Sequence, residues 1–430
     1  MVKRIVPSNV KNKIIDLPTS KSIAHRALII LSFSATRSKI HNITFNDDVL
    51  STIRVLKNIG IKFRKLDEKT LEIDSSKIFL ETKNEFHVKE SGTTLRLLIP
   101  FLASLNDEII IHTEGNLINR PLDVYEKLFN TNQDVFIVDK PNNEVRIYHQ
   151  LVGDTFTVKG NVSSQFISGL LLYEALVLKH GSVTVLKPYE SRSYVDLTID
   201  MLRYFGFEFS STETPDSVTY KLEKFPIRIH NYKEYIVEAD YSSLAFFVAL
   251  GVLNNDLTLD KVNQISLQAD RKIIDILQRL GGKISFVKKD ELSIKKSKLV
   301  PALIDLKECP DLGPILMAVA SLINGKTRFL NTKRLAYKES DRAKAMKQEL
   351  EKIGAKITIL DNEIIVEGVK ETPKGEIFES HGDHRITMSL AIISTVLSSP
   401  SYLKNTECVK KSYPSFFIDL EKLGIGVKNA

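Results

Sequence analysis

The stretch Ser20-Lys21-Ser22-Ile23-Ala24-His25-Arg26 leads from a polar, turn-like segment into an apolar run that begins near Ala27, and the pattern recurs. Runs of the same kind begin near Leu97, Leu170, Phe246, Leu316 and Met388, at intervals of roughly 70 to 76 residues. Their lead-ins are Ser91-Gly92-Thr93 through Arg96, Ser163-Ser164-Gln165, Asp240-Tyr241-Ser242-Ser243, Asp311-Leu312-Gly313 and Asp383-His384-Arg385. Ser, Asp and Gly ahead of an apolar run describe a helix N-terminus, whose unpaired N–H groups and dipole also suit an anion. Lys21, Arg26, Arg96 and Arg385 stand at these starts, where the dipole disfavours positive charge, so an anionic ligand is expected to offset them.

A second recurrence gives the unit its internal plan. An amphipathic helix, then Gly, then a β-rich stretch recurs at Ile59-Gly60-Ile61, Phe205-Gly206-Phe207, Leu280-Gly281-Gly282, Ile353-Gly354-Ala355 and Leu423-Gly424-Ile425. Where the remaining copy is due, Asn130 and Asn132 stand in for Gly, Asn being the next residue able to take a left-handed helix stop. Strand signals fall between the helices, as in Glu108–His112, Val183–Val185 and Lys283–Val287. The reading is an α/β chain of six βαβαββ-type repeats, three to each of two domains. Pro18 marks one crossing, around Leu17 to Thr19, and the other is expected around Asn231 to Tyr235. Residues 1–18 would then join 235–430, with 19–234 as the other domain. Such a double passage suggests a hinged cleft for a small ligand.

Composition narrows the classes. Hydrophobic residues make up 43% of the chain and charged residues 26%, enough for a sizeable core without metal or disulfides. The two cysteines, Cys309 and Cys408, fit a reducing compartment. Met1 to Lys13 lacks a signal-peptide core and no apolar stretch reaches bilayer length, so the expectation is a cytoplasmic protein. The net charge of +7 suits acidic substrates without excluding nucleic acid. No G-x-G-x-x-G opens a βαβ unit, no Cys/His pairs have zinc spacing, and no G-x-S-x-G elbow is present. Gly325-Lys326-Thr327 resembles the end of a phosphate-binding loop, but Ala320 replaces its first Gly, so a turn is expected there. Neither cofactor nor metal is expected.

The densest cluster is Arg334-Leu335-Ala336-Tyr337-Lys338-Glu339-Ser340-Asp341-Arg342, where Lys338 and Arg342 share a helix face if the helix begins that early. Joined with Asp383-His384-Arg385 and Lys411-Ser412-Tyr413-Pro414, it completes a pattern that resembles the 5-enolpyruvylshikimate-3-phosphate synthase family. The family's S-K-S-x-x-x-R stands at Ser20 to Arg26, its A-G-T-x-x-R at Ser91 to Arg96, and its R-P at Arg120-Pro121. Its V-S-S-Q-F stands at Val162 to Phe166, its S-x-x-Y-I-D at Ser191 to Asp196 with Val195 for Ile, and its K-E-[ST]-D-R at Lys338 to Arg342. The chain departs from the family at Arg334, where Asn is common, and at Ala336, where Arg is usual.

The resemblance implies an inside-out α/β barrel in each domain and transfer of the enolpyruvyl group of phosphoenolpyruvate to the 5-hydroxyl of shikimate 3-phosphate. Two polyanions in one pocket need fixed cations around them. By the resemblance Lys21, Gly92, Arg120, Gln165, Arg342, Arg385 and Lys411 bind phosphoenolpyruvate. Ser22, Arg26, Ser163, Ser164, Gln165, Ser191, Asp311 and Lys338 bind shikimate 3-phosphate, with Arg96 and Tyr194 nearby. Asp311 accepts the hydroxyl proton, and Glu339 or Lys21 protonates the methylene carbon, although neighbouring Lys338 and Arg342 should keep Glu339 ionised. The partners implied are these two small molecules, with no nucleic acid or membrane, acting on a monomer. The sister transferase for UDP-N-acetylglucosamine is a rival, but its loop cysteine has no counterpart near residues 105 to 125. A basic RNA-binding repeat protein is another, and it would spread its cations along a face instead of at helix starts.

Overall fold

The computed structural model describes the chain except residues 11–14, 16, 35, 77–82, 131–134, 149–150 and 227–233. It divides into two compact units, one of Met1–Pro18 with Glu238–Ala430 and the other of Thr19–Val237. The first crossing falls at Pro18. The second falls at Val237, a little beyond the expected segment, because Glu234–Ile236 forms a strand parallel to Arg37–His41 and so stays with the Thr19–Val237 unit.

Each repeat builds one small sheet. In the clearest case the strand order is Glu85–Lys89, Ile109–Thr113, Glu144–Ile147, Phe136–Asp139. The first pair is parallel and joined by a helix, and the last two strands form an antiparallel hairpin. The same order returns in the repeats starting at Thr155 and Leu303. Two repeats borrow a strand from far along the chain. Glu234–Ile236 supplies the first strand of the repeat containing Lys21, and Lys3–Val6 lies between Ser401–Lys404 and Gly426–Asn429 in the last repeat. The repeat containing Tyr241 shows three strands among the described residues, Leu257–Leu259, Glu291–Lys295 and Lys283–Lys288.

The apolar runs become the interior. In the Thr19–Val237 unit they form the helices Lys21–Ser32, Gly92–Ala103 and Ser164–Tyr173; in the other unit, Tyr241–Leu253, Gly313–Ser321 and His384–Ser394. Every residue of Gly92–Ala103, Gly313–Ser321 and His384–Ser394 is buried, Arg96, His384 and Arg385 included, as suits helices that are mostly apolar all round. The second helix of each repeat buries one face only; Lys272–Arg279, for example, turns Ile273, Ile274, Ile276 and Leu277 inward. Helices inside and half-exposed sheets outside make each unit an inside-out α/β barrel with its own hydrophobic core.

The helix stops behave as their glycines require. Gly60, Gly206, Gly281, Gly354 and Gly424 all have φ between 90° and 98°, the left-handed region that a side chain would strain. Asn130 departs from expectation. Its φ is −87°, and its side chain does the work instead, accepting from Val135 N and Phe136 N and donating to Phe136 O. Asn132 lies outside the described residues. Gly325-Lys326-Thr327 is not a turn but the start of the strand Gly325–Leu330, with the turn just before it.

Candidate active site

Five of the six lead-ins are side-chain caps. Ser20, Ser91, Ser163, Asp240 and Asp383 each accept from a backbone N–H in the first turn of their helix. Asp311 is the exception. It lies in a 3-10 turn, Pro310–Leu312, and no side chain caps the Gly313–Ser321 helix that follows. Its carboxylate points to cations instead: Oδ1 is 3.0 Å from Lys338 Nζ and 2.8 Å from Arg342 Nη1, and Oδ2 is 3.2 Å from Arg385 Nη2. Burial alone would raise its proton affinity, but Arg385, Lys338 and Arg342 together hold it well below the usual carboxylate range.

Arg342 is the hub of this cluster. Its side chain is 1% exposed and reaches three carboxylates, through Nε to Asp383 Oδ2 at 2.8 Å, Nη1 to Asp311 Oδ1 at 2.8 Å and Nη2 to Glu339 Oε2 at 2.7 Å. Buried so deeply and bound on every side, it fixes the geometry of the acids around it. Lys411 Nζ stands 3.9 Å from Glu339 Oε1, at the end of the 3-10 segment Thr406–Lys411. Lys338 and Arg342 do not share a helix face, because the helix starts only at Arg342 and Lys338 is extended. They meet on Asp311 from different elements. Burial lowers Lys338 to about 8, against the pull of Asp311. Arg334 hydrogen-bonds the carbonyl of Lys307 at 2.7 Å.

The Thr19–Val237 unit carries a cluster of another kind. Gly92 opens its helix beside two guanidinium groups: a Cβ placed there would lie 2.8 Å from Arg120 Nη1 and 3.2 Å from Arg96 Nη1. Arg120 Nε is buried and makes no hydrogen bond to the described residues. Arg96 donates to Gln165 Oε1 at 3.1 Å and to Pro121 O at 3.3 Å, over the ring of Phe166. Gln165 Nε2 in turn donates to Thr93 Oγ1 at 2.9 Å, so both ends of this amide are held by protein groups. Lys21 pairs with Asp48 at 2.7 Å.

Arg26 spends most of its donors within its own unit. It is 3% exposed and donates to Thr198 Oγ1, Ser22 O, Ser168 Oγ and Tyr194 O, tying its helix to Arg192–Tyr204. That leaves at most one N–H for a ligand. Ser163 caps its helix, Ser164 is buried, and Ser191 is buried with φ 52°. A left-handed, non-glycine residue of this kind stores strain that binding sites often use. His25, driven to about 3 by burial and therefore neutral, contacts Thr52 Oγ1 at 2.7 Å. Thr52 continues to Thr94 and Ser91, a buried polar chain that braces the helix start at Gly92. Asp48, Asp270 and the central role of Asp383 as an acid were not legible in the sequence, because each depends on a partner far along the chain.

The sheets, inner helices and acid–cation cluster define a protein of the enolpyruvyl-transferase class. The fold matches the enolpyruvyl transferase NikO from Streptomyces tendae with a TM-score of 0.75 at 16% identity, covering 99% of this chain and 98% of that one. It matches an EPSP synthase from Acinetobacter baumannii with a TM-score of 0.79 at 23% identity over the whole of both chains. The family description EPSP synthase (3-phosphoshikimate 1-carboxyvinyltransferase) matches residues 6–420. A 3-phosphoshikimate 1-carboxyvinyltransferase of Clostridium perfringens is 37% identical over 98% of this chain and 97% of its own length, and one of Clostridium kluyveri is 38% identical over 95% and 94%. The chain belongs to the EPSP synthase family.

Proposed function

We propose that this chain transfers the enolpyruvyl group of phosphoenolpyruvate to the 5-hydroxyl of shikimate 3-phosphate and releases phosphate. Family membership supports the reaction, and the observation that carries the residue roles is Asp311, the one lead-in acid that caps nothing and is instead gripped by Lys338, Arg342 and Arg385. In the addition step Glu339 or Lys21 protonates the methylene carbon, the hydroxyl oxygen bonds to C2, and Asp311 takes the hydroxyl proton. In the elimination step the bond from C2 to the phosphate oxygen breaks, and a proton leaves the new methyl group to restore the double bond.

A carboxylate held so far below its usual range is a poor base while its cations stay in place. Anionic substrates compete for Lys338 and Arg385, and each contact they draw away raises the proton affinity of Asp311 towards what the step needs. For phosphoenolpyruvate the contacts in the Thr19–Val237 unit are Arg120, the backbone at Gly92, Lys21 and Gln165, with Arg96 beside them, and those in the other unit are Arg342, Arg385 and Lys411. Ser22, Arg26, Ser163, Ser164, Ser191 and Lys338 serve shikimate 3-phosphate. The same reading places the chain in the cytoplasm as a monomer, in keeping with two free thiols.

The test is phosphate release from the two substrates by wild type and by Asp311→Asn. Loss of the base should lower kcat about 10²- to 10⁴-fold while shikimate 3-phosphate still binds. Near-normal turnover by the variant would remove Asp311 from its role, and a wild type that releases no phosphate would remove the reaction.

A further inference from the structure

We propose that Asp270 is a positioning residue for Arg385, holding its guanidinium partly off Asp311 so that an incoming anion can take it. This rests on Arg385 being a contact for phosphoenolpyruvate. Asp270 lies in the 3-10 turn Ala269–Arg271 and is 1% exposed. Ser242, in the first turn of the Tyr241–Leu253 helix, donates to its Oδ2 at 2.5 Å, and Arg385 Nη1 stands 3.8 Å from the same oxygen. From its other nitrogen Arg385 donates to Asp311 Oδ2 at 3.2 Å. The guanidinium is thus shared between carboxylates on two different elements.

Arginine and a single carboxylate prefer a two-pronged pairing. Asp311 does not receive one here: Arg385 Nη1 turns to the Asp311 backbone carbonyl at 3.2 Å, on the side that faces Asp270. A buried carboxylate is costly unless something compensates it. Burial pushes Asp270 up to about 6 against the pull of Arg385, and neighbouring Asp311 and Asp240 push the same way as burial. Stability alone gives little reason to place an acid there. With Asp270 neutral, Arg385 has only Asp311 to answer to among these acids, and the pair closes. Phosphoenolpyruvate must then break a tighter contact before it can bind.

Asp270→Asn keeps the shape and an acceptor for Ser242 while removing the charge. Wild type is first shown to release phosphate from shikimate 3-phosphate and phosphoenolpyruvate, so that failure of the reaction itself is seen separately. The variant should then raise KM for phosphoenolpyruvate about tenfold, the equivalent of one charge-assisted contact. KM for shikimate 3-phosphate should stay within about twofold, and the melting temperature should not fall, since a buried charge has been removed. If the variant does not fold, Ser242→Ala decides by the same split between the two KM values. An unchanged KM for phosphoenolpyruvate, or a parallel rise in both KM values with a lower melting temperature, overturns the proposal.

Discussion

Lys338 carries two opposing demands in one side chain. Its ammonium is needed against anionic oxygens, yet burial lowers it to about 8, an effect that Asp311 only partly offsets. Because kcat/KM reports ionisations of the free enzyme, its value for shikimate 3-phosphate should fall as pH rises through about 8. Stability should move the other way. Between about 8 and the ordinary 10.5 the unfolded chain holds a proton that folded Lys338 has released, so this residue makes stability rise with pH while binding weakens. A pH profile of Lys338→Met checks the assignment: the variant should lack that basic limb and start from a lower kcat/KM, whereas an unchanged limb points to another group. Such residues were only half visible in the sequence. The motif picked out Lys338 and Arg342 and the family resemblance Asp311, three side chains that do meet, and cap chemistry placed Ser20, Ser91 and Ser163 at helix starts, because caps and motifs depend on near neighbours. Asp270 and Asp48 gave no signal, since what makes them matter is an arginine or lysine brought close only by folding.

At the scale of elements, the inner helix Ser164–Tyr173 runs on into a single π-helical stretch, Glu174–Leu178, with Lys179 N donating to Glu174 O at 2.7 Å. Glu174 is fully buried, and neither of its carboxyl oxygens has a hydrogen-bond partner. Burial, with Asp154 adding to it, pushes this carboxyl up to about 9. Between its ordinary 4.5 and about 9 the folded chain therefore keeps a proton that the unfolded chain gives up, and stability drains away as pH rises through that window. Glu174→Gln should flatten this slope, with a gain in melting temperature that is small near pH 5 and grows to several degrees by about pH 8. Parallel melting curves across that range would show that Glu174 is not the source. Sequence periodicity foretold the inner helix but not its π-helical extension, which follows from packing. The glycine stops were legible for the opposite reason: a left-handed φ is a demand of the local backbone.

For the whole molecule, the repeat count and the first crossing were legible from spacing and Pro18, but the closure of the last repeat was not. Strand Lys3–Val6 pairs with residues some 400 positions away, Lys3 with both Leu403 and Asn429, and local sequence carries no sign of such a partner. This pairing makes the first residues a structural part of the repeat that carries Arg385 and Lys411. Ile5 is fully buried in the core of that unit, and burying an isoleucine side chain is worth about 1.5–3 kcal/mol. Deleting residues 1–6 leaves Ser401–Lys404 and Gly426–Asn429 without the strand that joins them. Hydrogen exchange should accelerate in those two strands and in the His384–Ser394 helix, and phosphate release should fall with them. Protection in Arg37–His41 and Gly92–Ala103 should persist, because among the described residues the core and sheets of Thr19–Val237 contain nothing from the first 18 positions. If exchange rises equally in both units, the N-terminal strand acts on more than its own repeat and the two cores do not hold independently.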